Sequence, residues 1–298
     1  MNEHTPPVCD YEGSDYQASF WDTGHRAYED AVEAIALRRL LPANGRLMLE
    51  LGAGAGRNTN RYQNYDHVAL VDYSRSQLEQ ARKRLGESER FLFVAADVYR
   101  LPFVGGLFDG ATMIRTLHHM AEPKLALSQV HRVMVPGGMF ILEFANKRNL
   151  KAMLRYCLGK QTWSPYTLDP VEFAALNFDF HPKAVWGYLD GVGFTVDKKL
   201  TVSHLRVEAL KRILPLQVLV GLDALLQWTG GLVQVSPSVF VRAYAAGQNR
   251  VADGKTIFQC PLCQTELPGL GRDLVCGGCG ATWSYQDGIY DFRVKSGE

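Results

Sequence analysis

Three groups of residues carry types and spacings suited to chemistry. Gly52, Gly54 and Gly56 alternate directly after the apolar run Met48-Leu49-Glu50-Leu51. Alternating glycines at the end of a buried strand let backbone approach a nucleotide-like ligand more closely than side chains permit. Asp72 closes the run His67-Val68-Ala69-Leu70-Val71, and Asp97 closes Phe91-Leu92-Phe93-Val94-Ala95-Ala96. A carboxylate about twenty residues beyond such a loop can accept hydrogen bonds from ribose hydroxyls. The second group is the pair His118-His119, just past a fourth apolar run. Imidazole titrates near neutral pH, so either ring can take a proton from a nucleophile or, equally, bind backbone around a ligand. The third group is Cys260-Pro261-Leu262-Cys263 and Cys276-Gly277-Gly278-Cys279, twelve residues apart. Each turn presents two thiolates to one metal and two turns complete a tetrahedron. With no open position, the expected ion is a structural Zn2+, with a redox dithiol as the alternative.

These groups need elements to hold them. Apolar runs at 47–51, 68–71, 91–95, 110–114 and 139–144 alternate with helical stretches near 57–65, 75–85 and 124–133. That alternation predicts parallel strands with helices on both faces, an α/β fold. Pro136-Gly137-Gly138 predicts a turn into the fifth strand. A helix over 28–41 precedes the sheet and stops at Pro42-Ala43-Asn44-Gly45. An irregular, aromatic-rich stretch over 147–180 is placed above the C-terminal strand ends, where such folds bind ligands. A helix over 181–192 and strands over 193–202 and 236–245 complete the pattern. Between those strands lies an apolar insertion, 205–231. After Pro215, Val218, Leu219, Leu222, Leu225 and Leu226 fall on one helical face, with Gln217, Gly221 and Ala224 opposite. Asp223 argues against a membrane span and leaves a core or lid helix or a membrane-surface helix.

A glycine loop and one acid are shared with dinucleotide-binding proteins. The further matches are Ala95-Ala96-Asp97-Val98 with Leu101-Pro102-Phe103, then Leu107-Phe108-Asp109-Gly110-Ala111-Thr112-Met113, then Val135-Pro136-Gly137-Gly138. In this order they resemble the class I adenosylmethionine-dependent methyltransferases, in the large type-11 group. The resemblance implies a Rossmann-like sheet in which Glu50 shapes the loop and Gly52, Gly54 and Gly56 border methionine and ribose. It implies that Asp72 holds the ribose and that Asp97 with Val98 reads adenine. Tyr16-Gln17-Ala18-Ser19-Phe20-Trp21, followed by Arg26, is similar to that family's N-terminal ligand cover. Tyr16 or Arg26 would then contact the methionine carboxylate. A histidine at the place of His118 or His119 is often structural in the family and sometimes the base. The tail, from Leu274-Val275-Cys276 to Asp287-Gly288-Ile289-Tyr290-Asp291-Phe292, resembles the small zinc-ribbon family that includes the activator subunit of eukaryotic tRNA and protein methyltransferases. Bacterial relatives usually end the signature with Asp-Gly-Ile-Pro, and Tyr290 departs from it. This likeness implies a ribbon docked on a methyltransferase fold, here within one chain.

The expected organisation is an N-terminal helical cover over 1–45, a methyltransferase domain over 46–246, a linker over 247–256 and a zinc ribbon over 257–298. Net charge is +1, so no global basic field argues for nucleic acid. The first residues carry neither a basic nor an apolar signal region, and Cys9 and Cys157 read as free thiols, so a cytoplasmic location is expected. The expected activity is methyl transfer from S-adenosylmethionine to a small-molecule or lipid-like acceptor, suggested by the apolar insertion and aromatic cap. Two alternatives stand beside it: an RNA or protein methyltransferase using the ribbon for recognition, and a non-catalytic adenosylmethionine-binding regulatory module.

Overall fold

A computed structural model describes residues 6–14, 21, 26–247 and 251–294. Helix α1 (Ala27–Leu40) buries Val32, Ala36, Leu37 and Leu40 in one stripe at helical spacing. It leads into β1 (Gly45–Leu51), β2 (Tyr65–Asp72), α2 (Arg75–Leu85), β3 (Phe91–Ala95), β4 (Phe108–Met113), α3 (Pro123–Val133) and β5 (Met134–Ala145). Local signals set the helix starts: the Ser74 side chain accepts from the Gln77 N–H, and Pro123 opens α3. Strand β1 lies between β2 and β4 and is parallel to both. The winding reverses between them, which opens a crevice at their C-terminal ends.

From that same end leave α4 (Leu150–Cys157) and the hairpin of β6 (Val171–Ala174) and β7 (Asn177–Asp179). Next come α5 (Pro182–Gly191) and β8 (Phe194–Val202). Helices α6 (Glu208–Ile213) and α7 (Leu216–Leu226) and the 3-10 turn Gln227–Gly231 form the connection to β9 (Ser238–Ala245). Strand β9 runs antiparallel between β5 and β8.

The cysteine module contains β10 (Phe258–Gln259), β11 (Glu266–Leu267), β12 (Leu274–Val275), β13 (Thr282–Gln286) and β14 (Ile289–Asp291). Strand β14 adds to β3 in parallel, pairing Ile289 with Phe93, Tyr290 with Val94 and Asp291 with Ala95. Among the described residues this makes one ten-stranded sheet, β12-β13-β14-β3-β2-β1-β4-β5-β9-β8. The edge of β3 is thereby paired rather than open. The Phe258 ring stacks on Phe103 at 5.6 Å, and the Gln259 N–H donates to the Pro102 carbonyl at 3.0 Å. Phe258, Trp283, Tyr290 and Phe292 join the buried apolar cluster that holds Val130, Phe140 and Leu189 on the α3 and α5 face. The opposite face packs α1, α2 and Leu219 of α7.

Three sequence expectations are corrected. Residues 57–65 hold only a 3-10 turn (Thr59–Arg61) before β2 begins. The Thr59 hydroxyl donates to Glu50 at 2.6 Å and the Thr112 hydroxyl to the Tyr62 oxygen at 3.1 Å. These buried tertiary bonds override helical preference. The turn at Pro136-Gly137-Gly138 is a bulge inside β5, where Phe108 and Gly110 pair with Met134 and Met139. Of the readings left open for α7, the core one is corrected, since most of its apolar face points outward. Leu219, Asp223 and Gln227 are buried, while Leu222, Leu225 and Leu226 are exposed.

Candidate active site

The glycine loop leaves β1 at the floor of the crevice. Gly52, Gly54 and Gly56 have φ of 64°, 51° and 72°, the left-handed region that other residues avoid. A Cβ at Gly52 would collide with the Thr116 side chain, and one at Gly56 would press Ala81 and Leu85 at 3.2 Å. A Cβ at Gly54 meets nothing within 4 Å, so this residue borders open space. The Asp72 carboxylate accepts from the Gly54 N–H at 2.8 Å and the Ser74 N–H at 2.9 Å. Burial nevertheless raises it to about 6.

The crevice is lined by Gly52, Gly54, Asp72, Tyr73, Gln77 and Val98. Trp21, Arg57, Arg115, Thr116, His119 and Met120 line it too, and Val8, Cys9 and Tyr11 reach it from the N-terminal segment. Four of the remaining expected site residues stand behind this lining. Glu50 is buried beneath the loop, and burial raises its carboxyl to about 7. Gly56 packs on α2. Burial also raises Asp97, whose carboxylate accepts from the Tyr99 N–H at 2.9 Å. Arg26 pairs with Glu29 at 3.4 Å. Tyr16 lies outside the described residues.

The two histidines differ. His119 Nδ1 lies 2.9 Å from the Leu176 carbonyl, which can only accept, so Nδ1 carries the hydrogen. Its Nε2 then has a lone pair and accepts from the Tyr11 hydroxyl at 3.2 Å. The His118 ring lies 4.0 Å behind His119, and its buried Nδ1 has no partner. Burial lowers both imidazoles below their ordinary range, His118 the more strongly.

Sequence reading placed Trp21 in the N-terminal cover and gave no role to Arg57 or Arg115, which line the crevice with it. The buried Trp21 ring lies between Arg57 at 3.7 Å and Arg115 at 4.8 Å. Beneath it the buried Glu33 accepts from Arg57 at 2.8 Å and from Arg115 Nε at 2.7 Å. Burial alone would raise Glu33, but Arg115 and Arg57 hold it at about 2. Arg115 has φ of 55°, and its N–H donates to Glu143 at 2.8 Å. A non-glycine residue in this region is strained and is held by its surroundings. The available signal was position: Arg57 follows Gly56, and Arg115 precedes Thr116-Leu117-His118.

In the cysteine module the sulfurs of Cys260, Cys263, Cys276 and Cys279 lie within 4.8 Å of one another. Cys260 and Cys279 are 3.7 Å apart, and Cys263 and Cys276 3.3 Å. Sulfurs about 2.3 Å from a tetrahedral zinc are about 3.8 Å apart, so the set fits that ion.

Residues 49–142 match the family model of a methyltransferase domain. The chain is similar to the demethylmenaquinone methyltransferase of Clavibacter sepedonicus, 35% identical over 51% of this chain and 63% of that protein. It is similar to the O-methyltransferase cnsE of Penicillium expansum, 29% identical over 47% of this chain and 55% of that protein. The chain thus spans less than two thirds of the length of these curated relatives. Among solved structures, it resembles a chain of the complex between the Haloferax volcanii Trm112 methyltransferase activator and a methyltransferase. The TM-score is 0.55 at 15% identity, covering 78% of this chain and 96% of that one. The matched segment holds the glycine loop, Asp72, Asp97 and both histidines, so the chain carries a methyltransferase domain with the class I fold.

Proposed function

We propose that this chain is an S-adenosylmethionine-dependent methyltransferase acting on a small, lipid-like acceptor. The observation that carries the reading is the crevice at the β1/β4 reversal, where open space beside Gly54 meets the Asp72 carboxylate. Bound adenosylmethionine would supply an electrophilic methyl group on a sulfonium. Asp72 accepts from the ribose hydroxyls, and Val98 with the Asp97 turn flanks adenine. Glu50, Gly52 and Gly56 fix the loop, with Arg26 and the segment around Tyr16 as the cover. The Arg57–Trp21–Arg115 wall and the N-terminal segment exclude water and hold the acceptor behind the methyl group. His119 receives the acceptor's proton at Nε2 once the Tyr11 hydroxyl yields its place, while the Leu176 carbonyl fixes the tautomer. His118 packs behind His119 and orients it.

The names of the relatives make quinol and phenol rings the first acceptors to try. The four cysteines would hold a structural Zn2+ and keep the ribbon (257–298) shaped for its place beside β3. The parallel pairing of β14 with β3 and the stacking of Phe258 on Phe103 support intramolecular docking. The remaining boundaries follow: a cover over 1–45, the catalytic domain over 46–246 and a linker over 247–256. The test is transfer of labelled methyl from adenosylmethionine to a panel of quinols, phenols and total lipid extract. Label in an extractable small product is expected. Tight cofactor binding without transfer to any acceptor would favour a regulatory module, and label in RNA or protein would favour the recognition reading.

A further inference from the structure

Helix α7 turns most of its leucines to solvent and buries two polar side chains. Its buried side carries Asp223 and Gln227 beside Leu219, and its exposed side carries Val218, Leu222, Leu225 and Leu226, with Leu225 73% exposed. The orientation is locked from within. Asp223 accepts from the Tyr28 hydroxyl and the His204 N–H, both at 2.7 Å. Gln227 donates to the Val32 carbonyl at 2.9 Å and accepts from Arg39 at 2.8 Å. Turning the leucines inward would strip every one of these buried groups of its partner. An outward apolar face fixed by a buried polar network is a surface meant to be covered.

The rim identifies what covers it. Trp228, half exposed, lies between Arg39 at 4.9 Å and Lys198 at 4.5 Å. Arg38 and Arg212 are exposed on α1 and α6. The exposed acid of the 203–237 connection, Glu208, is paired with Lys211 at 3.4 Å. Apolar side chains, a Trp among cations and no unpaired exposed acid on the same segment match the interfacial zone of an anionic bilayer. No helix among the described residues is long and apolar enough to cross a membrane, and α7 has eleven residues, so it would lie in the surface plane. The connection leaves β8 at the end of the sheet that holds the crevice, since Val202 pairs with Ser238 and Ala145 also pairs with Ser238.

We infer that the exposed face of α7, with Trp228, docks this protein on anionic phospholipid surfaces. The inference rests on the lipid-like acceptor proposed above, because such a surface is where that acceptor would partition. The full chain is mixed with vesicles of phosphatidylcholine alone or with one third phosphatidylglycerol, and sedimented. At least tenfold more protein should bind the anionic vesicles, and the excess should shrink as salt is raised. Leu222→Glu with Leu225→Glu should cut binding tenfold or more while thermal melting and adenosylmethionine affinity stay at wild-type values. Trp228→Phe should remove the blue shift in fluorescence that accompanies binding. Equal affinity for both vesicles would overturn the charge argument, and no binding to either would overturn the docking. Absence of vesicle binding with a dimer in equilibrium sedimentation that the Glu variant splits would assign the face to a second copy. None of these readouts needs methyl transfer, so failure here leaves the catalytic reading to its own test.

Discussion

Asp72 carries charge where burial opposes it. Two backbone N–H groups hold the carboxylate, yet its value still rises to about 6. If the ionised form accepts two ribose hydroxyls, Asp72→Ala should cost about 2 kcal/mol of adenosylmethionine affinity. Calorimetry showing full affinity in a folded variant would remove the assignment. Acidity should act the same way. The ionised fraction drops to about one tenth at a pH one unit below the pKa, so affinity should fall about tenfold between pH 7 and pH 5, and Asp72→Ala should flatten that profile. Linkage adds a sign for the free protein. Because the folded value lies above the ordinary 3.8, the folded state holds this proton more tightly, and stability declines as pH rises from about 4 to about 6. For the base, His119→Gln should slow turnover about a hundredfold with cofactor affinity preserved, and His118→Gln should cost far less. Reduced affinity with normal turnover at saturation in both variants would make the pair structural. Gly52, Gly54, Asp72 and His119 were legible as crevice-lining residues because Asp72 ends β2 and the others lie a few residues past β1 and β4. Trp21 was legible only as part of the N-terminal cover, and its place between Arg57 and Arg115 was not, because the buried Glu33 draws the two arginines together from separate segments.

At the scale of elements, period was legible and direction was not. Strand β3 and helix α2 have the expected limits, since apolar runs and the Ser74 cap are local signals. Leu222, Leu225 and Leu226 of α7 do share a helical face, with Leu219 turned to the core, but which face turns inward depends on Tyr28, 195 residues away, whose hydroxyl meets Asp223. The failed helix at 57–65 has the same origin, because Glu50 and Thr112 draw Thr59 and Tyr62 into buried hydrogen bonds. A buried polar network of this kind predicts a large loss when its acceptor goes. Asp223→Ala leaves the Tyr28 O–H and the His204 N–H without an acceptor and should destabilise the fold by about 3 kcal/mol. Asp223→Asn, which keeps one acceptor oxygen, should recover part of that. Urea denaturation gives both numbers, and a change under about 0.5 kcal/mol in the Ala variant, within the usual range for surface substitutions, would mean that something else orients α7.

On the scale of the whole molecule, the cysteine module and the crevice share a sheet and a set of side chains. The Arg293 guanidinium binds Asp291 at 2.6 Å, Glu12 at 3.2 Å and the Tyr73 carbonyl at 3.4 Å. Tyr73 lines the crevice, and Glu12 adjoins Tyr11, which also lines it. Arg75, at the start of α2, reaches back to the Gln286 carbonyl at 3.1 Å and to Asp287 at 3.2 Å. A module this small cannot hold its shape by apolar burial alone, so a four-cysteine zinc site would contribute folding energy directly. The purified protein should carry close to one zinc per chain, and Cys276→Ser should release it. Damage should then follow the hydrogen bonds. Backbone exchange should rise first over 258–294, next in β3, which loses its β14 partner, and then in the segment that carries Val8, Cys9 and Tyr11. Adenosylmethionine affinity should fall with it, by about tenfold, a coupling of about 1.4 kcal/mol. Metal analysis that finds no zinc in protein prepared without chelators would sink the site. Exchange confined to 258–294, with affinity unchanged, would keep the metal and reject the coupling, because β14 would then be a passive cover for an edge strand rather than a brace for the crevice.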